Sequence, residues 1–161
     1  KGRHVWAALN DAGVGGKFTA DEIARQIQIT RLQAGSDGEI HYHLRSITEN
    51  PALNTIVRKE YAVPALVPST PWLDSTPPNK PKLTVTLEKD SANARWENGG
   101  AKPARWWVLQ TRDGNTWTTD ILPGAQNSHY FEKPTFDAIS IRAVDRLGNL
   151  SAPDVLAAKK D

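Results

Sequence analysis

The sequence predicts an α/β segment followed by an all-β sandwich, and three observations predict it. Residues 4–60 alternate strand-like and helix-like patterns, whereas beyond residue 82 every apolar segment reads as a strand. Between them runs Tyr61-Ala-Val-Pro-Ala-Leu-Val-Pro-Ser-Thr-Pro-Trp-Leu73, extended and punctuated by proline, where the hydrophobic period changes. The expected division is therefore 1–74 and 75–161.

The first elements follow from local chemistry. His4-Val-Trp-Ala-Ala-Leu9 is a short apolar run before the turn-rich Asn10-Asp-Ala-Gly-Val-Gly-Gly16, as in a strand of a parallel sheet. Thr19-Ala-Asp-Glu22 has the spacing of a capping box, and Ile23, Ile27 and Ala34 give the stripe of a helix over 19–34 that Gly35 ends. Gly38-Glu-Ile-His-Tyr-His-Leu44 alternates as a second strand. Asn50-Pro51 then opens a second helix, with Leu53, Ile56, Val57 and Tyr61 at helical spacing. Strand, helix, strand implies a crossover joining parallel strands. Two such strands make a poor sheet alone, so further strands are expected upstream of Lys1.

Seven strand segments then recur with turn signals between them, the pattern of a sandwich. They begin at Leu83-Thr-Val-Thr-Leu87 and end near Val155, with Asp113-Gly-Asn115 as hairpin chemistry. Thr76-Pro-Pro-Asn-Lys-Pro81 reads as a stiff linker.

Composition narrows the function. Twenty Lys and Arg against eighteen Asp and Glu leave no clustered basic face, so nucleic-acid binding is not expected. No run of 18 apolar residues is present to span a membrane. The absence of Cys excludes disulfides, thiolate zinc sites and cysteine nucleophiles. Asn149-Leu-Ser151 fits a glycosylation sequon, a match that arises often by chance.

His4–Leu9, Gly38–Ser46 and above all the run from Tyr61 to Trp72 resemble the last quarter of the glycosyl hydrolase-like family 10 barrel. The second half resembles fibronectin type III modules: Trp96 stands at the core tryptophan of their second strand. Ile139-Ser-Ile-Arg-Ala-Val-Asp-Arg-Leu-Gly-Asn-Leu-Ser151 follows their late-strand pattern, with Ile139 where a tyrosine is usual. The resemblance implies the last two β-α units of a (β/α)8 barrel followed by a fibronectin type III-like β-sandwich. It also implies a parent protein, exported by a bacterium to the periplasm or beyond, in some cases lipid-anchored, that cleaves complex or cell-wall glycan. The partners it implies are that glycan and the missing N-terminal barrel segment.

Glycoside hydrolysis needs two flanking carboxyl groups, and in a (β/α)8 barrel they sit at the C-terminal ends of strands. Only Asp11 is so placed, so no catalytic residue is assigned and the fragment by itself is expected to be inactive. His41 and His43 are two apart on a strand and share a face. Each is a candidate for hydrogen-bonding sugar hydroxyls or a structural polar residue, while Tyr42 and Leu44 are expected under helices. A metal reading of the pair lacks further ligands, and no cofactor is expected. Trp6 and Asn10 are candidates for a stacking face and an amide at the same rim, with packing under a helix the competing role for Trp6. Gly13-Val-Gly-Gly16 lacks the spacing of a phosphate loop.

Trp106 and Trp107 alternate onto opposite faces of one strand, so one ring points outward, to stack on sugar or pack against a neighbouring domain. Trp72 is expected in the same interdomain contact. A competing function is a non-catalytic glycan- or protein-binding module using these aromatics. Unpaired strand edges in residues 1–74 predict self-association or disorder there.

Overall fold

The computed structural model describes residues 2–157. The chain forms two compact units, Lys1–Pro64 and Ala65–Asp161.

In the first unit, strand β1 (Trp6–Asn10) pairs in parallel with β2 (Gly38–Tyr42). Helix α1 (Ala20–Leu32) joins them, and α2 (Leu44–Glu49) and α3 (Pro51–Glu60) follow. Leu9 packs with Ile23, Ile27, Ile47 and Leu53, all buried. The Asn50 side chain accepts from Leu53 N–H at 3.1 Å with Pro51 in the first turn, as the Asn-Pro pair requires. The Thr19 box does not close: its side chain makes no cap bond, and Glu22 instead bonds Arg25 and Gln26 one turn on.

The expected last two β-α units of a (β/α)8 barrel are not what the chain forms. It is chiefly a β-sandwich with three short helices, and β1 and β2 make a two-stranded sheet of their own. Two five-residue strands lack the strand number and stagger that close a sheet into a barrel. The segment after β2 is also broken, because Pro51 lacks an N–H and disfavours a helical residue before it, leaving α2 and α3 in place of one helix.

The second unit has two antiparallel sheets. One runs β3 (Lys82–Glu88), β4 (Ser91–Glu97), β7 (Ser128–Glu132). The other runs β6 (Thr116–Pro123), β5 (Trp106–Asp113), β8 (Ala138–Val144), β9 (Asp154–Ala157). Three strands against four in this order make a fibronectin type III-like sandwich. Alternating residues fill its core: Leu83, Ala94 and Trp96 from one sheet meet Trp107, Leu109, Ile139 and Ile141 from the other. Trp96 and Trp107 meet edge to face, centroids 6.1 Å apart. Each indole N–H is satisfied by a carbonyl, of Gln126 and Gly124 respectively, which is what lets both rings be buried.

Residues 65–74 belong to this second unit, as a strap across the β8–β9 loop. Thr70 N–H donates to Leu147 C=O at 2.9 Å, and Asn149 Nδ2 donates to Asp74 C=O at 2.9 Å. Gly148 has φ +80° and leaves no room for a Cβ, which would lie 2.9 Å from Ser69 Cα and Val67 O. Lys102 hydrogen-bonds Asp74 and, with Thr76 N–H, holds that carboxyl down at about pKa 2. The sequon at Asn149 is closed to glycosylation in this fold, since Asn149 and Ser151 are both buried.

Candidate functional site

The densest polar arrangement lies in the first unit. Asp11 opens a short 3-10 turn directly after β1 and is 1% exposed. His41 of β2 turns Nδ1 to both Asp11 oxygens, at 3.1 and 2.9 Å. Its Nε2 lies 2.8 Å from the Tyr61 hydroxyl, which in turn donates to Glu39 Oε1 at 2.8 Å. Arg31 of α1 closes the chain, with Nε 3.4 Å from Glu39, Nη1 3.5 Å from Glu60 and its guanidinium over the Tyr61 ring. Glu39 and His41 share a face because they are two apart on a strand. That face turns to the helices, since Leu9, paired with His41, is in the core.

The proton logic decides what this arrangement does. Tyr61 has one hydroxyl proton. Given to Glu39, it leaves the Tyr61 oxygen as the acceptor facing His41 Nε2. A histidine between a carboxylate and a hydroxyl has the layout of a nucleophile-activating pair. The phenol is tuned the other way. Burial, then the hydrogen bond and charge of Glu39, push its pKa well above the ordinary phenol value, and the opposing pull of Arg31 does not offset them. Tyr61 is held as a neutral donor. The chain Asp11–His41–Tyr61–Glu39–Arg31 ties β1, β2, α1 and the end of α3 together.

A pH consequence follows. The folded-state pKa of Tyr61 lies above its unfolded value of 10.0. Between the two, the unfolded chain releases a proton that the folded one keeps. The contribution is therefore whole below about pH 10 and is lost as pH rises above it. Absorbance titration at 295 nm is expected to show a late phenol step that Tyr61→Phe removes. All three tyrosines titrating together would contradict this.

The other expected site residues are dispersed. His43 lies outside β2 and caps α2, its Nδ1 3.3 Å from Ser46 N–H, so it does not share the His41 face. Trp6, Asn10, Ile40 and Tyr42 are exposed on β1 and β2 and are not in the core. Tyr42 is 64% and Leu44 71% exposed, against the expectation that helices cover them. The amides of Gly16, Lys17 and Phe18 all point at Gly13 C=O, so this loop offers no anion cradle. Trp107 is the inward ring and Trp106 the outward one, with the Arg105 guanidinium 5.3 Å above it. Trp72 lies in the strap, about one-third exposed. Among the described residues no group of three or more His, Asp or Glu is placed to hold a metal ion. No described helix is long and apolar enough to cross a membrane.

Sequence reasoning missed Tyr61, Glu39 and Arg31. The signal was present only in part: Glu39 and His41 alternate on one strand, but nothing local links them to residues 20 or more positions away.

The class these features define is a fibronectin type III-like sandwich joined to a small α/β unit with an Asp–His–Tyr–Glu chain that runs from buried Asp11 to partly exposed Tyr61. Over 123 residues the sequence is 39% identical to the glycosyl hydrolase YngK of Bacillus subtilis (strain 168), a match covering 72% of this chain and 24% of that protein. The chain thus spans about a quarter of its curated relative. No protein-family model matches. Similar solved structures include a two-domain fibronectin type III segment of chicken tenascin, at 16% identity and TM-score 0.44, covering 53% of this chain and 51% of that one. The Clostridium perfringens spore cortex lytic enzyme SleM is similar at 17% identity and TM-score 0.40, over 52% of this chain and 29% of that one.

Proposed function

We propose that this chain is part of a larger exported bacterial protein that hydrolyses complex or cell-wall glycan. In it the chain would supply scaffold and sandwich, and other segments the catalytic acids. The observation that carries this reading is the 39% identity to a glycosyl hydrolase over most of the chain. The site chemistry supports the division of labour. Asp11 is buried against His41, and Glu39 and Glu60, with side chains 6% and 13% exposed, are committed to Arg31. None of the three offers a free acid to a glycosidic oxygen, and hydrolysis needs two.

A second reading is a non-catalytic glycan-binding module, favoured by the outward Trp106 backed by Arg105. One experiment addresses both: native electrophoresis of the full chain through gels containing cell-wall and plant polysaccharides, with reducing-sugar assays alongside. The expected result is retardation without sugar release, reduced in Trp106→Ala. Sugar release abolished by Asp11→Ala would overturn the scaffold role. Unchanged mobility in every gel would sink the binding reading.

A further inference from the structure

The sandwich has a second feature with chemical content, remote in sequence from the Asp11–His41 pair. Where the β4–β5 and β8–β9 loops come together beside the strap, a cavity of about 840 Å³ opens. Loops in the corresponding positions carry antigen recognition in immunoglobulin variable domains. Leu73, Pro103, Ala104 and Leu147 give this cavity an apolar wall, and five charged residues line the rest.

Three of those five charges are already used. Asp145 accepts from the N–H groups of Leu147 and Asn149 and from Asn149 Nδ2, at 2.8–3.0 Å. Burial opposes its ionisation, but these bonds outweigh burial and hold its pKa below the usual carboxylate range. Lys102 and Asp74 neutralise each other at 2.9 Å, with Lys102 also on Thr76 C=O. Arg105 and Arg146 remain. Neither makes an ion pair or side-chain hydrogen bond to any described residue. Arg105 is oriented by its stack on Trp106, which leaves the edge of the guanidinium free. The lining holds three cations against two carboxylates, and two guanidiniums in no ion pair with a described residue, beside an apolar wall, suit a ligand with a carboxylate on a ring of mixed polarity. Arginine binds carboxylate through paired N–H donors, and sugar rings lie against apolar surface.

We infer that this loop-end cavity binds a carboxylated sugar unit of a glycan, with Arg105 and Arg146 holding the carboxylate. The inference rests on the glycan reading above and names the chemical class of sugar. A phosphate-bearing ligand is the competing source of negative charge, and the test separates them.

The test is calorimetric titration of the full chain with three carboxylated probes: tri-galacturonic acid, a glucuronate-bearing xylo-oligosaccharide and N-acetylmuramic acid. At least one is expected to bind, its methyl ester is not, and Arg105→Gln and Arg146→Gln are each expected to weaken binding about tenfold, the loss of a charge-assisted hydrogen bond. Both arginines are exposed, so the variants should melt like the parent chain. Binding of none of the three probes overturns the proposal, as does equal binding of the ester or displacement by equimolar inorganic phosphate. Retention on neutral polysaccharide that survives both substitutions would overturn the cavity assignment and leave the glycan reading standing. Loss of all retention in the gel assay would remove the glycan-binding reading itself.

Discussion

Trp107→Ala is expected to destabilise the sandwich by about 3–5 kcal/mol, the range for emptying a large buried aromatic site. The ring is 3% exposed and meets Trp96 edge to face, and its N–H holds Gly124 C=O. Alanine would leave a cavity between the two sheets, and would leave Gly124 C=O without this donor. The neighbouring Trp106→Ala is expected to cost less than about 1 kcal/mol, because that ring is 38% exposed on the outer face. Urea unfolding followed by circular dichroism of both variants checks the pair. Similar losses for the two would mean that Trp106 is packed as deeply as its neighbour, and would remove it as a recognition residue.

Asp11→Ala is expected to destabilise the first unit by about 2–4 kcal/mol. The carboxylate has no exposed side-chain surface and bonds His41 alone among the described residues, so its removal leaves a half-buried imidazole without its acceptor. The figure is below that for a fully buried pair because the His41 side chain is 17% exposed and water screens part of the loss. Ellipticity at 222 nm during urea unfolding follows the helices, which among the described residues all lie in this unit. A cycle with His41→Gln should show coupling above about 1 kcal/mol. Additive effects would mean that Asp11 and His41 do not act as a pair.

The two tryptophans show what local pattern reveals and where it stops. Alternation established that Trp106 and Trp107 lie on opposite faces, but not which face is inside. That depended on the second sheet packing over Trp107, a partner more than ten residues away in either direction. The same gap reversed the reading of β2: His41 and Tyr42 were correctly separated, yet His41 turned out to face the helices and Tyr42 to be exposed. A period of two is symmetric, and only burial breaks the symmetry.

Helix ends divide similarly. Asn50-Pro51 capped α3 as its chemistry demanded, because the cap oxygen and the Leu53 N–H that donates to it are three residues apart. Thr19-x-x-Glu22 has equally good spacing and failed, since Glu22 found Arg25 and Gln26 instead. His43 was assigned to a strand and became a cap for α2, a helix that the alternating pattern through Leu44 concealed. The proline-rich run was legible as the place where the period changes. Its docking on the β8–β9 loop was not, because Thr70 bonds Leu147, 77 residues away.

By itself the sequence determined the parallel strand pair, a helix over residues 19–34 that forms over Ala20–Leu32, seven sandwich strands and Trp96 as a core residue. These follow from turn chemistry and side-chain period, which act over a few residues. Tertiary structure alone decided that the first unit is a two-stranded sheet with three short helices. It also joined Asp11 to His41, Tyr61 and Glu39, and left Arg105 and Arg146 around a cavity with no ion pair to any described residue. Charges and hydroxyls choose partners by distance in space, and a linear pattern records only distance along the chain.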